Sequence, residues 1–218
     1  MAAMPEAPSI NLKPDEVEFL QAHLSSSRRY LEFGAGTSTV MAANTASLES
    51  IDTVESSKPF IEELLRGPEV AQAVAAGRLH LHAIDVGPTG AWGRPTDPAS
   101  RHLWPDYSSR VFAESSGWDL VLIDGRFRVA CCLNSLLHTG PECRILIHDF
   151  WWRKEYFVVL EFLDVVDRIN SFVSLRRKKD VDTKKVAKLL RKYQYLPLDK
   201  TMFQRGLDFI GRKLKRTS

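Results

Sequence analysis

The stretch YLEFGAGTST, residues 30–39, is the most informative part of this chain. Residues 30–33 form a largely apolar run, which is typical of a strand covered on both faces. Gly34 and Gly36 follow, and glycines here let the backbone turn tightly and leave room for a ligand to approach. A helix then begins with free N–H groups. Because Thr39 stands at the third glycine position of GxGxxG, the segment departs from the dinucleotide-binding pattern.

Short apolar runs alternate with helical patterns on both sides of this turn. The alternation predicts an α/β fold with a doubly wound, mostly parallel sheet in a single domain. The predicted strands are Tyr30–Phe33, Leu48–Val54, Leu79–Ile84, Leu120–Ile123, Ile145–Ile147 and Phe172–Leu175. Helices are predicted from Pro14, around Phe60–Leu65, near Val111, over Val129–Leu137 and over Phe157–Val166.

Two segments depart from the alternation. Gly87–Tyr107 carries four prolines, three glycines and two tryptophans, which is typical of a long functional loop. Asp182–Tyr193 predicts a helix with one apolar face, an opposite face of lysine and arginine, and Asp182 as its N-cap. We therefore expect a main domain over residues 1–175, and a basic helix with a tail over residues 176–218.

Composition limits the class of protein. Of the 218 residues, 44% are hydrophobic and 26% are charged, as in ordinary globular proteins. No apolar stretch approaches the roughly 20 residues that cross a bilayer, and the N-terminus lacks the pattern of a secretory signal. The cysteines Cys131, Cys132 and Cys143 form no CxxC pair, which argues against a disulfide scaffold or a zinc module. We expect a cytoplasmic protein with no membrane span.

The small net charge of +3 conceals an asymmetry. From residue 176 to the end, 15 Lys and Arg stand against four acids, a net charge of +11, whereas residues 1–175 carry −8. Such a segment is either a solvated basic surface or a docking surface for nucleic acid, a membrane or an anionic partner.

Acidic residues mark three successive strands. Glu32 lies within the first, Glu55 follows the second and Asp85 follows the third. Glu55 comes 23 positions after Glu32, close to the ~20-residue spacing at which an acid reaches the hydroxyls of a bound ribose. Taken alone, each acid is an ordinary strand-end residue that caps a helix, and it is their joint occurrence that points to a cofactor site.

This ordered set, continued by LVLIDG at 120–125 and ILIHDF at 145–150, resembles the class I S-adenosylmethionine-dependent methyltransferases over roughly residues 28–175. The resemblance implies a Rossmann-like fold with a last antiparallel strand, which we place near Tyr195–Leu198 or Phe209–Ile210. It also implies that the methionine part of S-adenosylmethionine is surrounded by Glu32, Phe33, Gly34, Ala35, Gly36, Thr37 and Ser38. By the same resemblance, Glu55 and Ser56 bind the ribose. Asp85 and Val86 flank the adenine, and Asp124 faces the sulfonium.

A second group follows the fourth and fifth strands. Methyl transfer requires that the acceptor be held in line and that its proton leave through a base or a metal. Asp124 and Asp149 resemble the carboxylate pair of metal-dependent O-methyltransferases, but Phe150 replaces the next expected ligand and Arg126 adds a competing charge, so we expect no metal. His148 is a candidate base because its ordinary pKa lies near neutrality, although a buried histidine with a purely structural role fits equally well.

The predicted function is therefore S-adenosylmethionine-dependent methyl transfer, with Asp124, His148, Asp149 and Arg126 as catalytic candidates. The predicted acceptor is an oxygen of a small molecule or glycan, and arginines near the site favour an anionic one. The alternatives are an RNA acceptor that binds the basic C-terminal segment, a nicotinamide-dependent oxidoreductase, and a non-catalytic binding protein. The sequence lacks the phosphate-loop, HExxH and GxSxG motifs, and it lacks an Asn/Asp-Pro-Pro-Tyr segment.

Overall fold

The computed structural model describes residues 12–197. The strands are β1 (Arg29–Phe33), β2 (Ser50–Glu55), β3 (Leu79–Ala83), β4 (Leu120–Ile123), β5 (Arg144–Ile147), β6 (Leu163–Ile169) and β7 (Phe172–Arg177). The α-helices are α1 (Pro14–Ser25), α2 (Thr37–Asn44), α3 (Lys58–Leu64), α4 (Pro68–Ala75), α5 (Trp104–Ser109), α6 (Val111–Glu114), α7 (Arg128–His138) and α8 (Thr183–Tyr193). Short 3₁₀ segments lie at Ala91–Gly93, Pro98–Leu103 and Lys154–Glu161.

These strands form one seven-stranded sheet in the order β3-β2-β1-β4-β5-β7-β6. All neighbours from β3 to β5 pair in parallel, and β7 runs antiparallel to both β5 and β6. The chain order reverses between β1 and β4, and ligands of open α/β sheets bind at the carboxyl edge beside such a reversal. The predicted doubly wound, mostly parallel sheet is confirmed.

Helices cover both faces of the sheet. One face carries α1, α2 and α4, whose buried residues include Leu20, Ala42 and Val70. The other face carries α5 to α8, and nearly every residue of α7 from Arg128 to Leu136 is buried. The central strands β1 and β4 are therefore covered on both sides, which explains why β4 is a continuous apolar run and β1 a largely apolar one in the sequence.

The position of the antiparallel strand corrects the sequence prediction. Residues 195–197 form no strand, while Leu198 and the alternative position at 209–210 lie outside the described residues. The antiparallel strand is instead β7, which the sequence analysis identified as a strand but not as the reversed one. A tight turn at Asn170-Ser171 joins it to β6, and such turns connect antiparallel neighbours.

The helix predicted over Phe157–Val166 is wrong. A 3₁₀ segment ends at Glu161 and strand β6 follows it at the edge of the sheet. Most of β6 is exposed, and an irregularity between Val165 and Asp167 shifts its register, so its sequence lacks the alternation of a regular strand. The adjacent β-branched residues Val165 and Val166 were the available signal for a strand.

The two segments set apart in the sequence have defined structures. The long loop contains 3₁₀ turns and ends in α5, where the indole N–H of Trp104 donates to the Val86 carbonyl at 3.1 Å. Helix α8 packs on α7 through Val186, and Asp182 caps it by accepting from the Lys185 N–H at 3.0 Å. Between residues 12 and 197, the helices are too short or too polar to cross a membrane.

We predict that Gly125→Ala destabilises the fold. A Cβ at Gly125 would overlap the Tyr107 hydroxyl and lie 2.8 Å from the Gly34 nitrogen, and overpacking of this kind costs about 1–3 kcal/mol. Gly140→Ala is the matched control, because nothing lies within 4 Å of its added Cβ. Denaturant unfolding should show the loss for Gly125→Ala and a change within about 0.5 kcal/mol for the control. Equal stability of the two variants would contradict the packing described here.

Candidate functional site

Unusual backbone conformations gather at the carboxyl edge of the sheet. Within residues 12–197, the non-glycine residues with positive φ are Trp92, Phe127, Asp149 and Asn170, with φ between 46° and 61°. They follow β3, β4, β5 and β6, so all lie at this edge. This conformation is rare for bulky residues such as Trp92 and Phe127, whereas Asp and Asn adopt it more readily. Strained residues of this kind cluster at functional sites.

Glu32 is fully buried beneath the glycine turn. Its carboxylate accepts hydrogen bonds from the hydroxyls of Tyr30 at 3.0 Å, Ser38 at 2.7 Å and Thr53 at 2.8 Å. Burial raises the pKa of Glu32 despite these hydrogen bonds. Since the hydroxyls come from β1, α2 and β2, the carboxylate fastens the start of α2 to the sheet.

The glycine turn itself leaves open space. Phe33 is buried in the core, Gly34 has φ 97°, and α2 begins at Thr37. Nothing lies within 4 Å of a Cβ added to Gly36, whose nitrogen donates to the Thr39 hydroxyl at 2.9 Å. The space in front of this turn is therefore available to a ligand.

Glu55 lies beside that space. One carboxylate oxygen accepts from the Ala35 N–H at 3.2 Å, and the other accepts from the N–H groups of Ser56 and Ser57 at 2.7 and 2.8 Å. These bonds hold the carboxylate at the glycine turn. Asp85 comes two residues after the end of β3, is exposed and accepts from the Gly87 N–H at 2.8 Å, whereas the neighbouring Val86 is buried.

The ends of β1 and β4 touch each other. The Phe33 carbonyl accepts from the N–H groups of Asp124 at 2.9 Å and Gly125 at 2.6 Å. A Cβ on Gly34 would lie 2.5 Å from the Gly125 nitrogen. The Tyr107 hydroxyl, from the end of the long loop, accepts from the Arg126 N–H at 3.3 Å. The candidate catalytic segment is thus fixed directly against the glycine turn.

Arg128 joins the ends of β4 and β5. Its buried guanidinium lies 3.0 Å from the Asp124 carboxylate and 3.7 Å from the Asp149 carboxylate, and it donates to the His148 carbonyl at 2.5 Å. Arg153 donates to Asp149 at 3.2 Å. Burial alone would raise the pKa of Asp124, but Arg128, His148 and Arg126 outweigh burial and hold that pKa below its ordinary value.

His148 lies between two carboxylates. Its Nδ1 is 3.0 Å from Asp124, and because an ionised carboxylate only accepts, Nδ1 carries the proton. Its Nε2 is 3.9 Å from the buried Glu16, which accepts from the Ser171 hydroxyl at 2.8 Å. Burial would lower the pKa of His148, but Asp124 and Asp149 outweigh burial and the opposing charge of Arg128, so the pKa is raised.

The fold therefore brings most of the candidate residues to one edge. Glu32 is buried beneath the glycine turn, where its partners are hydroxyl groups. Glu55, Asp124, His148 and Asp149 lie at the carboxyl ends of β2, β4 and β5. The sequence did not reveal the role of Glu16, because nothing in a first-turn acid of α1 shows that it will reach the fifth strand. The positive φ of Asp149 likewise has no signal in the sequence.

Comparison with known proteins finds solved structures that share this fold. No protein-family model and no curated protein matches the sequence. A methyltransferase-like protein from Silicibacter pomeroyi is 27% identical, with a TM-score of 0.74 over 86% of this chain and 98% of that one. The chain therefore has the Rossmann-like fold of the class I S-adenosylmethionine-dependent methyltransferases.

Two more distant structures share this fold. A protein provisionally named an O-methyltransferase from Klebsiella pneumoniae is 16% identical, with a TM-score of 0.52 over 79% of this chain and 84% of its own. The N-methyltransferase NodS from Bradyrhizobium japonicum, in complex with S-adenosyl-L-homocysteine, is 13% identical, with a TM-score of 0.52 over 80% of this chain and 94% of its own. At these identities the likeness concerns the fold alone.

Two further features bear on ligand binding. A cleft of about 380 Å³ lies towards the opposite edge of the sheet, between the start of β4 and β6, where Asp119, Arg144 and Asp167 line it. It contains none of the candidate residues. Within the described part of the chain, no group of three or more His, Cys, Asp or Glu side chains is arranged to hold a metal ion.

We predict that Asp124→Asn lowers the pKa of His148. The carboxylate stabilises the imidazolium, so its removal should shift the titration of His148 to lower pH in an NMR experiment. His82, which Asp52 and Glu114 hold at 2.8 and 3.0 Å, is the internal control and should titrate as before. An unchanged His148 titration would refute the interaction.

The Asp124–His148 interaction should also affect how the stability of the protein depends on pH. Because the folded-state pKa of His148 is raised, its contribution to the free energy of unfolding is fully present below the unfolded value of about 6.5 and is lost as pH rises through the folded pKa. Unfolding measured across this range should show a steeper loss for the wild-type protein than for His148→Gln. Parallel curves would contradict the assignment.

Proposed function

We propose that this protein transfers the methyl group of S-adenosylmethionine to an oxygen of a small-molecule or glycan acceptor. The observation that carries the proposal is that two groups lie next to each other at one edge of the sheet. The first is the open glycine turn with Glu55 beside it, and the second is the Asp124–His148 pair. The first group is suited to hold a nucleoside and the second to receive a proton.

The residues around the glycine turn fit the cofactor. We infer that the segment from Glu32 to Ser38 encloses the amino-acid end, because the space at Gly36 is open and Glu32 holds the segment in place. Glu55 and Ser56 offer oxygen acceptors for the ribose hydroxyls. Asp85 and Val86 offer a polar and an apolar side to the adenine. S-adenosyl-L-homocysteine in the related NodS structure is consistent with this choice of cofactor.

The chemistry asks little of the protein beyond position and proton transfer. A bond forms between the acceptor oxygen and the methyl carbon, the bond from that carbon to sulfur breaks, and the sulfonium becomes a neutral thioether. The acceptor proton passes to Nε2 of His148, since Nδ1 is bonded to Asp124. Because its pKa is raised, His148 must first lose a proton, so turnover should increase with pH.

The charges around Asp124 and Asp149 favour an anionic acceptor, and they argue against a metal ion at these two carboxylates. Asp124 and Asp149 share the Arg128 guanidinium, and Arg153 binds Asp149 as well, so cations already balance the two carboxylates. We infer that Arg126, which lies between Asp124 and Arg128 in sequence, contributes positive potential for the acceptor. Activity should therefore withstand a chelator of divalent metals.

An RNA acceptor is the second candidate, and the exposed face of α8 favours it. Lys184, Lys188 and Arg191 are exposed there, while the apolar face of α8 packs on α7. Phosphate contacts of this kind weaken steeply with salt, so binding of a single-stranded RNA that falls steeply with salt, together with its methylation, would favour RNA over a small acceptor.

We predict that Gly36→Ala weakens cofactor binding without affecting stability. The added Cβ meets no protein atom but enters the space proposed for the ligand. Calorimetric titration with S-adenosylhomocysteine should show a lower affinity, with an unchanged melting temperature. Gly140→Ala, equally unobstructed but far from the site, should bind like the wild type. Wild-type affinity in Gly36→Ala would remove the cofactor from this turn.

We predict that Glu55→Gln lowers the same affinity by roughly 10- to 150-fold. Hydrogen bonds from ribose hydroxyls to a charged group contribute about 1.5–3 kcal/mol, and the amide keeps an oxygen for the local backbone contacts. NAD and NADP serve as comparison ligands. Binding of these dinucleotides in place of S-adenosylhomocysteine would favour the oxidoreductase alternative.

Transfer itself is tested with radiolabelled S-adenosylmethionine and a panel of hydroxylated acceptors. His148→Gln should bind S-adenosylhomocysteine like the wild type and lose most of its turnover, since general-base catalysis contributes about 10²–10⁴-fold. Binding of the cofactor without transfer to any acceptor or RNA would favour the non-catalytic alternative.

A further inference from the structure

Trp92 is held in an exposed and strained position next to the candidate cofactor site. Its φ and ψ are 61° and 28°, in the left-handed region that large side chains rarely adopt. Its side chain is 77% exposed. By contrast, Trp104 and Trp118 are buried, and each indole N–H has a hydrogen-bond acceptor. Strained residues cluster at ligand-binding sites, so the strained backbone of Trp92 makes its exposed indole a candidate ligand contact.

The backbone around Trp92 imposes this conformation. The Gly90 N–H donates to the Arg94 carbonyl at 2.8 Å, and the Thr96 N–H donates to the Pro88 carbonyl at 2.9 Å. Thr89 and Pro95 form an antiparallel bridge. Trp92 therefore lies at the tip of a hydrogen-bonded hairpin, residues 88–96, and not on a loose segment of the long loop.

The tip of this hairpin rests on the residues proposed to bind ribose. A Cβ added to Gly93 would lie 3.2 Å from the Ser56 hydroxyl and 3.8 Å from a Glu55 carboxylate oxygen. The base of the hairpin begins directly after Asp85 and Val86, the pair proposed to flank adenine. Trp92 is thus one residue from the ribose site and in the segment that leaves the adenine site.

We propose that Trp92 stacks on the adenine ring of the bound cofactor and covers its outer face. This inference rests on the proposed function. The indole and adenine are both flat and of similar size, and stacking of a base on an aromatic side chain is a common source of nucleobase affinity. In the cofactor the adenine is bonded to the ribose, so a ribose held at Glu55 places the base next to the hairpin tip.

The position of Trp92 fits stacking on adenine better than stacking on an aromatic ring of the acceptor. The candidate base, His148, lies at the end of β5, three strands away from β2 in the sheet order. Three strand spacings amount to about 14 Å. An acceptor that reaches His148 is therefore closer to Trp152, which follows β5 and is 73% exposed. This makes Trp152 a matched control for Trp92.

Tryptophan fluorescence tests the proposal with S-adenosylhomocysteine as the probe. Binding should quench the emission of the wild type and of Trp152→Phe, and Trp92→Phe should lose most of that quenching. Trp92→Ala should bind about tenfold more weakly, whereas Trp92→Phe, which keeps an aromatic ring, should retain most of the affinity. Quenching in Trp92→Phe equal to that of the wild type would overturn the proposal.

A second probe separates stacking from a general loss of structure. S-ribosylhomocysteine carries the ribose and the amino acid but no base. Trp92→Ala should bind it as the wild type does, while losing affinity for S-adenosylhomocysteine. Equal losses for both probes, or none, would contradict stacking on adenine. If the wild type binds neither probe, the proposed function itself fails, and the two failures are distinguishable.

Discussion

The candidate site depends on the direct contact between the backbones of Gly34 and Gly125. A side chain at either position would separate the ends of β1 and β4, which the Phe33 carbonyl joins by accepting from Asp124 and Gly125. This contact holds the glycine turn against the segment that carries Asp124. It also places the hydroxyl of Tyr107, and with it the end of the long loop, over the same point. The residues proposed to bind the cofactor and the acceptor are thereby held at one edge of the sheet.

Electrostatics then organise the acceptor side of that edge. The buried guanidinium of Arg128 donates hydrogen bonds to backbone carbonyls after β4 and β5. It also lies between the carboxylates of Asp124 and Asp149. Asp124 in turn fixes the proton of His148, and Glu16 reaches the other side of the imidazole from α1. The two carboxylates next to this end of the sheet, Asp124 and Asp149, raise the pKa of His148 despite its burial.

The sequence predicted the central fold well because β1, β4 and β5 are buried on both faces and their apolar runs are unambiguous. It failed at β6, an exposed edge strand whose irregular register removes the alternation. Because β6 was missed, the β6–β7 hairpin was not recognised and β7 was not identified as the antiparallel strand. The residues at strand ends were predictable because parallel strands bring their carboxyl ends together. The role of Glu16 was not, since it depends on contacts with residues more than 130 positions away. The conformation of Trp92 was not either, because the sequence gives no signal for the hydrogen-bonded hairpin that imposes it.

A crystal structure with S-adenosylhomocysteine is the most direct test of where the cofactor binds. Density for the ligand should lie along the carboxyl edge, with the ribose hydroxyls at Glu55 and the sulfur facing Asp124. Density in the cleft lined by Asp119 and Arg144, towards the opposite edge of the sheet, would contradict this location.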